Sequence, residues 1–247
     1  MNEDKLYGRN PVIEALEAGR PIDKIFLQEH LNHPQIGKIR SLAKAQGIPY
    51  HFADRRKLDQ LANGVNHQGV IALAAAQQYV EVADILARAQ ANGEPPFVVI
   101  CEGLTDAQNL GSILRTANAA GVHGVIIPKN RSVALNAVVA KVSAGAIEYT
   151  PVAKVANITQ TLEKLKKEGL WIVGTDVSGT QRHFDCDLRG PLGIVIGSEG
   201  EGMSRLVREH CDFVVTIPMR GEIESLNASV AAGILMFEAV RQRITAD

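Results

Sequence analysis

Between residues 97 and 247, hydrophobic residues form short continuous runs separated by amphipathic segments. The runs FVVICEG, GVIIP, LWIVGTDV, LGIVIG and DFVVTIPM predict strands, and segments such as NLGSILRTANAAG and ITQTLEKLKKEG predict helices. Strands that are apolar at every position are buried on both faces, which is typical of a parallel sheet covered by helices. The pattern therefore predicts an α/β domain over residues 97–247.

The N-terminal part of the chain follows a second, shorter alternation. DKIFLQE, IPYHFA and HQGVIALAA predict strands, whereas NPVIEALEAG and QIGKIRSLAKAQG predict helices, so residues 1–76 are expected to form a small α/β domain. Residues 77–96 contain one amphipathic helix that ends at Gly93, and Pro95 and Pro96 follow it. Because proline cannot continue a helix, we expect a linker at 77–96.

Composition excludes several classes of protein. The chain is 46% hydrophobic and 21% charged, which is typical of a globular protein with a full core. It has no apolar run of the roughly 18 residues that cross a bilayer, and its first residues do not resemble a signal peptide. We expect a cytoplasmic protein without membrane association. Three scattered cysteines favour reduced thiols over a disulfide framework or a metal site.

The net charge of −1 argues against a broad basic surface for nucleic acid. Local basic patches could still bind RNA, and the candidates are Arg55-Arg56-Lys57 and Lys129-Asn130-Arg131. Either run could equally be a solvated face.

Two loops that follow predicted strands carry polar or glycine-rich sequences. In α/β sheets, ligands bind at the carboxyl ends of the strands. The first loop leads into a predicted helix with Asn109 and Arg115, which could also act as a helix cap and a surface ion pair. The second is Gly197–Gly202, GSEGEG, where glycines let the backbone approach a ligand, although a plain turn is the alternative. It matches neither the Walker loop nor the dinucleotide fingerprint.

The third such loop runs from the strand at Ile217 into the last helix. Pro218 ends sheet pairing, and Ser225 is predicted to cap the helix. The helix then opens with small residues: Ala228, Ser229, Ala231, Ala232 and Gly233. Such residues predict close packing, either against another helix or against a chain threaded through a loop.

Together, and in this order, the three loops resemble the SpoU/TrmH branch of the SPOUT methyltransferases. The matching motifs are Asn109-x-Gly111-x-x-x-Arg115-Thr116, Ile194–Gly202, and Ile217-Pro218-Met219 with Ser225-Leu226-Asn227-Ala228-Ser229. YGRNPVIEAL and VNHQGVIA resemble the substrate-binding domain, similar to ribosomal protein L30e, of the bacterial 23S rRNA guanosine-2′-O-methyltransferases. AGVHGVIIPKNRS and FEAVRQR strengthen this assignment, so the resemblance covers nearly the whole chain.

The resemblance implies a deep trefoil knot, a homodimer and S-adenosylmethionine as cofactor. The cofactor would be held largely through backbone groups by Gly197, Ile217, Met219, Ser225 and Leu226. The expected catalytic residues are Asn109, Arg115, Glu199, Ser225 and Asn227. Arg115 is the proposed base of the family, but arginine hardly ever loses its proton. Arg115 could instead bind the target phosphate and polarise the hydroxyl. Glu199 would then orient Arg115.

The implied reaction is 2′-O-methylation of a guanosine ribose in a loop of the peptidyl-transferase region of 23S rRNA. The front domain would bind this RNA through Arg9, Asn10, His67 and Gln68, although these residues could equally complete helix caps and strand-end hydrogen bonds. Three alternatives remain: the same reaction on tRNA, a noncatalytic RNA-binding scaffold, and a nucleotide-dependent oxidoreductase. The absence of G-x-G-x-x-G after FVVICEG argues against the last.

Overall fold

A computed structural model describes residues 5–198 and 200–245, which form two compact units. The first comprises residues 5–78 together with 134–137, and the second comprises residues 79–133 and 138–245.

The first unit is a four-stranded sheet with helices. Its elements are β1 (Lys5–Tyr7), α1 (Arg9–Glu17), β2 (Ile22–Gln28), α2 (Pro34–Ala45), β3 (Tyr50–Ala53), α3 (Arg55–Ala62) and β4 (Val70–Ala74). The strand order is β1-β4-β2-β3, with β2 and β3 parallel and the other pairs antiparallel. Leu16, Ile25 and Ile39 are fully buried in its core. The predicted α/β alternation of this half is confirmed.

Helix α3 is absent from the sequence prediction, which treats its start only as a basic run. The helix begins at Arg55 because the Asp54 side chain caps it, accepting a hydrogen bond from the backbone N–H of Lys57 at 2.8 Å. Leu58 and Ala62 are buried, and the basic residues face outward.

The second unit contains seven strands, all paired in parallel. Its elements are α4 (Val82–Asn92), β5 (Phe97–Cys101), α5 (Ala107–Ala119), β6 (Gly124–Pro128), α6 (Ala137–Val142), β7 (Val152–Val155), α7 (Ile158–Lys167), β8 (Trp171–Thr175), β9 (Gln181–Arg182), β10 (Leu192–Ile196), α8 (Arg205–His210), β11 (Phe213–Thr216) and α9 (Ala228–Ile244). The strand order is β7-β6-β5-β10-β8-β11-β9. The predicted parallel sheet is therefore confirmed.

The central strands β5 and β10 are buried at every position, as the continuous apolar runs predict. Helix α4 lies in the segment predicted as a linker and ends at the left-handed Gly93, as expected. From Tyr79 onward, however, that segment belongs to the second unit. Ile85 of α4 is fully buried and packs so closely on Gly124 that an added Cβ there would lie 2.5 Å from its Cδ1.

Helix α9 packs against α5 through its small residues. Ala228 and Ala232 are buried, and a Cβ added to Gly233 would lie 3.6 Å from Cγ2 of Thr116. On the other side of α5, a Cβ added to Gly111 would approach Cβ of Val142 to 2.7 Å. The small residues therefore allow close helix–helix packing, which is one of the two alternatives that the sequence leaves open.

The three cysteines are unpaired, and burial raises the pKa of the Cys101 and Cys211 thiols to about 12. Within residues 5–198 and 200–245, no helix has the length and apolar character needed to cross a membrane. In the same ranges, no group of three or more His, Cys, Asp or Glu side chains is arranged to hold a metal ion.

Candidate functional site

A cavity of about 570 Å³ lies at the carboxyl ends of β8, β10 and β11. Three loops line it, one after each strand, together with the start of α9. The lining residues are Thr175, Asp176, Val177, Ile196, Gly197, Ser198, Gly200, Glu201, Gly202, Thr216, Ile217, Met219, Glu224, Ser225, Leu226, Asn227, Ala228 and Ala231. All five predicted cofactor residues are among them. This edge of a parallel sheet is where ligands bind in α/β folds.

The loop after β10 closes on itself. Ser198 and Gly202 exchange two backbone hydrogen bonds, of 2.9 and 3.0 Å. Gly200 and Gly202 have φ values of +86° and +67°, which glycine adopts without strain. A Cβ on Gly197 would lie 2.6 Å from the carbonyl oxygen of Gly202, so the two backbone segments meet only because residue 197 lacks a side chain. Glu199, a predicted catalytic residue, lies outside the described residues.

Helix α9 is capped by Asn227, and the prediction that Ser225 caps it is wrong. Oδ1 of Asn227 accepts hydrogen bonds from the backbone N–H groups of Ser229 at 2.9 Å and Val230 at 3.4 Å. Ser225 lies two residues before this cap, exposed on the wall of the cavity. The cap fixes the direction in which the third loop enters the helix.

Asn227 also joins the third motif to the first, because its Nδ2 donates a 2.9 Å hydrogen bond to Oδ1 of Asn109. Asn109 is the third residue of α5 and is 4% exposed. The cap of α5 is Asp106, which accepts a hydrogen bond from the N–H of Gln108 at 2.9 Å. The alternative in which Asn109 serves as a helix cap is therefore wrong.

Arg115 does not line the cavity. It lies six residues after Asn109 on α5, which places it about 9 Å further along the helix axis. Its side chain is exposed and makes no ion pair or hydrogen bond with residues 5–198 or 200–245. The surface ion pair offered as its alternative role is thus not observed among the described residues.

The charged residues among those that line the cavity are all acidic: Asp176, Glu201 and Glu224. Asp176 is the least exposed, with 15% of its side chain accessible. Its partial burial raises the pKa of the carboxyl, but the hydroxyl and backbone N–H of Ser178 and the charge of Arg208 outweigh this and lower the pKa below its usual value. Asp176 is therefore ionised at neutral pH, and it keeps the cavity negative.

Sequence reasoning missed the loop after β8, which includes Asp176. The sequence prediction places Asp176 inside the strand LWIVGTDV, whereas β8 ends at Thr175, so Asp176 begins the loop at the carboxyl end of the strand. A second missed contact is Glu102, just after β5. Its carboxylate accepts a 2.9 Å hydrogen bond from the N–H of Ser204 and so anchors the far end of the loop after β10.

In the first unit, the structure brings three of the four predicted RNA-binding residues to one end of the sheet. Gly8 donates to the carbonyl of Val70 at 3.0 Å, which draws the start of α1, with Arg9 and Asn10, beside the turn carrying Gln68. Asn10 and Gln68 are exposed. The buried Nε of Arg9 has no hydrogen-bond partner in the described part of the chain.

His67 has a structural role, and it is not exposed as a residue that contacts RNA would be. It is 6% exposed, its Nδ1 accepts a hydrogen bond from the N–H of Gly69 at 3.0 Å, and its Nε2 lies 2.9 Å from a carboxylate oxygen of Asp59. Both ring nitrogens are therefore engaged within the unit. For His67, the structure therefore supports the alternative in which the side chain completes hydrogen bonds at the end of a strand.

Comparison with known proteins identifies the class of protein, which is a two-part RNA methyltransferase. The model of the "SpoU rRNA Methylase family" matches residues 96–237, and that of "RNA 2'-O ribose methyltransferase substrate binding" matches residues 5–80. The chain belongs to the SpoU/TrmH family of RNA 2′-O-methyltransferases, within the SPOUT class, whose cofactor is S-adenosylmethionine.

Individual relatives support this membership. The chain is 49% identical over 243 residues to the "Putative TrmH family tRNA/rRNA methyltransferase YacO" of Bacillus subtilis, covering 98% of this chain and 97% of the relative. It resembles the crystal structure of the SpoU methyltransferase AviRb from Streptomyces viridochromogenes in complex with AdoMet, with a TM-score of 0.63, 27% identity and coverage of 98% and 90%. The A. aeolicus TrmH/SpoU tRNA modifying enzyme has a TM-score of 0.57 and 28% identity, but that match covers 66% of this chain and 86% of the enzyme.

Proposed function

We propose that this protein transfers a methyl group from S-adenosylmethionine to the 2′-hydroxyl of a guanosine in the peptidyl-transferase loop of 23S rRNA. The observation that carries the proposal is the cavity, in which the second and third motifs form the walls and the Asn227–Asn109 hydrogen bond connects them to the first motif. The proposed substrate places the protein in the cytoplasm.

The cavity suits this cofactor in shape and charge. Its volume of about 570 Å³ is that of a typical small-molecule site. S-adenosylmethionine carries a sulfonium and an ammonium against one carboxylate, so its net charge is positive and complements the three carboxylates of the lining. A dinucleotide, by contrast, would bring its pyrophosphate into a negative site without any lysine or arginine in the described lining. The charge therefore disfavours the oxidoreductase alternative.

The tight backbone of the loops would hold the cofactor. Gly197, Ile217, Met219 and Leu226 provide main-chain groups and apolar contacts at the cavity wall, and Ser225 provides a hydroxyl. The bound cofactor supplies an electrophilic methyl group on sulfur. The residues of this chain must then place the ribose hydroxyl in line with it, which is a proximity effect.

Arg115, Asn109 and Asn227 form the catalytic group that we propose, with Ser225 and Glu199. The guanidinium of Arg115, which forms no ion pair or hydrogen bond with the described residues, would bind the phosphate beside the target ribose and polarise the hydroxyl, whose proton would pass to solvent water as the methyl group is transferred. Because an arginine keeps its proton, this role is preferred to that of a base. Asn109 and Asn227 hold each other in place, so the start of α9 and the start of α5 act as one rigid support. Glu199 is proposed to orient Arg115.

We further propose that residues 1–76 are an L30e-like RNA-binding domain and residues 97–247 the catalytic domain. We do not propose a linker from Tyr79 onward, because that part of the segment 77–96 packs with the second unit. The substrate-binding family match at residues 5–80 supports the first assignment. Arg9, Asn10 and Gln68 remain the proposed RNA contacts, since they lie at one end of the unit. His67 would act indirectly, by holding the turn that presents Gln68.

A trefoil knot and a homodimer complete the proposal. The knot is supported by the close backbone approach of Gly197 and Gly202 in the loop after β10. The dimer is supported by Val230, Phe237 and Ile244, which recur every seven residues on α9 and are 50%, 48% and 70% exposed. An apolar stripe on the outer face of a helix is typical of an interface.

Ribosomal RNA is favoured over tRNA as substrate. The family model that matches residues 96–237 describes an rRNA methylase family, whereas the tRNA-modifying enzyme matches 66% of this chain. The presence of the catalytic residues Asn109, Arg115 and Asn227 argues against a noncatalytic scaffold.

The test is transfer of labelled methyl groups from S-adenosylmethionine to unmethylated 23S rRNA fragments and, in parallel, to bulk tRNA. Nuclease digestion then identifies the labelled nucleoside. Label in 2′-O-methylguanosine from rRNA is the expected result. Label only in tRNA would show that tRNA is the substrate and not rRNA. Cofactor binding without transfer to either RNA would favour a noncatalytic RNA-binding scaffold.

A further inference from the structure

The edge strand β3 of the first unit carries an aromatic pair, of which Tyr50 is half-buried against the core and Phe52 is exposed. In the strand order β1-β4-β2-β3, β3 is the outermost strand, at the opposite edge from β1, which leads into Arg9. Tyr50 and Phe52 are two residues apart and so point to the same face of the strand. Their rings pack edge to face, with centroids 6.0 Å apart, and Phe52 remains 50% exposed. An aromatic ring this exposed has a face available for stacking.

Arg40 of α2 completes the group. The central guanidinium carbon lies 5.8 Å from the centroids of both rings, which is within the range of cation–π contact. Arg40 is exposed and makes no ion pair with any residue of the described ranges. Its charge is therefore not neutralised by a neighbouring carboxylate and remains open to an anion.

Positive charge continues from β3 into α3, at Arg55, Arg56 and Lys57. All three are exposed. Arg55 approaches Asp59 only to 3.8 Å, and the side chains of Arg56 and Lys57 form no ion pair within residues 5–198 and 200–245. Of the two nearby carboxylates, Asp54 caps α3, and Asp59 lies 2.9 Å from Nε2 of His67.

We propose that Tyr50, Phe52 and Arg40 form a stacking platform for an unpaired nucleotide of the RNA substrate, with its phosphates held by Arg40, Arg56 and Lys57. Aromatic faces with arginine beside them are how proteins bind unstacked bases, and basic side chains follow the backbone. The inference rests on the proposed function, in which RNA is the substrate. It assigns a second RNA-binding surface, separate from the start of α1 with Arg9 and Asn10.

RNA fits this surface better than a protein partner does. Arg40 lies beside the rings, and Arg56 and Lys57 follow β3 along the chain; none of the three forms an ion pair with the described residues, which suits a phosphate backbone. An interface for an apolar partner would call for more apolar residues around the rings, whereas the exposed neighbours here include Arg40, Arg56 and Lys57.

The test uses the full-length protein and a fluorescent, unmethylated 23S rRNA fragment containing the peptidyl-transferase loop. Phe52→Leu keeps apolar bulk and removes the stacking face, whereas Phe52→Trp keeps that face. We expect Phe52→Leu to weaken RNA binding by about 5- to 150-fold, the range for loss of one stacked base, and Phe52→Trp to bind as the unaltered protein does. Cofactor affinity, measured by calorimetry, should be unchanged in both.

Arg40→Gln tests the charge, with Arg20→Gln as the matched control, because Arg20 is also exposed and without an ion pair among the described residues. The Arg40 variant should reduce the salt dependence of log Kd by about one, and the Arg20 variant should not.

Two outcomes separate this inference from the proposed function. If the unaltered protein methylates the rRNA but Phe52→Leu and Arg40→Gln bind RNA normally, the platform is refuted, the function stands, and the surface is left to a protein partner. If the unaltered protein binds cofactor but not the RNA, the proposed substrate and the platform are both refuted.

Discussion

Asp176 is expected to make the cavity discriminate between S-adenosylmethionine and its product. The product, S-adenosylhomocysteine, lacks the sulfonium charge and is otherwise nearly identical. Asp176→Asn removes one negative charge and little volume. It should therefore weaken binding of S-adenosylmethionine more than binding of the product.

The size of the effect follows from the cavity. A sphere of 570 Å³ has a radius of about 5 Å, so a charge inside lies within about 10 Å of the Asp176 carboxylate. Coulomb's law at 10 Å gives about 0.4 kcal/mol with a dielectric constant of about 80 and about 1.7 kcal/mol with one of about 20. Because these energies are for the largest separation, the preference for S-adenosylmethionine should fall by about 2- to 15-fold or more. Arg208, 3.6 Å from the carboxylate, partly offsets its charge and favours the lower part of this range.

The assay is calorimetric titration of the unaltered and variant proteins with each ligand. Asp187→Asn is the matched control, since Asp187 also pairs with an arginine, Arg189, but does not line the cavity. Equal losses of affinity for both ligands in Asp176→Asn would refute the electrostatic reasoning and indicate an uncharged contact.

The same carboxylate predicts the pH dependence. The pKa of Asp176 is lowered in the folded protein, so its charge is fully present above the ordinary value of about 3.9 and is lost only as pH falls through the lower folded value. Discrimination between the two ligands should stay constant from neutral pH to about pH 5. A decline within that interval would contradict the assignment.

Three further predictions concern the proposed catalytic residues and the proposed dimer interface. Arg115→Ala should abolish methyl transfer and leave cofactor binding nearly intact, as measured by label transfer and calorimetry; unchanged turnover would remove Arg115 from the mechanism. Asn227→Ala removes both the cap of α9 and the bond to Asn109, and should lower the free energy of unfolding by about 1–3 kcal/mol in a denaturant titration, because a cap and a buried hydrogen bond each contribute about 1 kcal/mol. A loss no larger than that of Ser225→Ala, which removes a hydroxyl but no cap, would contradict this. Phe237→Asp places a charge in the exposed stripe of α9 and should convert a dimer to a monomer in light scattering; a variant that stays dimeric would locate the interface elsewhere.

The strands and helices of the second unit are readable from the sequence because their burial is simple. FVVIC and LGIVI are apolar throughout, and the structure buries every residue of both strands. Short elements are harder to predict. β7 and α8 have four and six residues, too few for a periodic pattern, and α3 begins with charged residues that conceal its apolar side.

The site is predictable from the sequence where only one residue type allows the backbone conformation. It is less predictable where two nearby residues could fill the same role. Gly197 is identifiable because only glycine allows the close approach to Gly202. Ser225 and Asn227 are both good caps, and only the geometry of the chain selects Asn227. His67 looks like an exposed polar residue at a strand end, but its burial depends on the carboxylate of Asp59, eight residues earlier. Asp176 carries no motif, so its role emerges only once β8 is placed beside β10.

The most direct test of the central claim is a crystal structure of the protein with S-adenosylmethionine bound. We predict that the cofactor occupies the cavity between the loops after β8, β10 and β11, with its adenosine against the backbone of Gly197, Ile217 and Leu226. Cofactor bound outside these three loops, or an empty cavity in a protein that is saturated with cofactor in solution, would contradict the account.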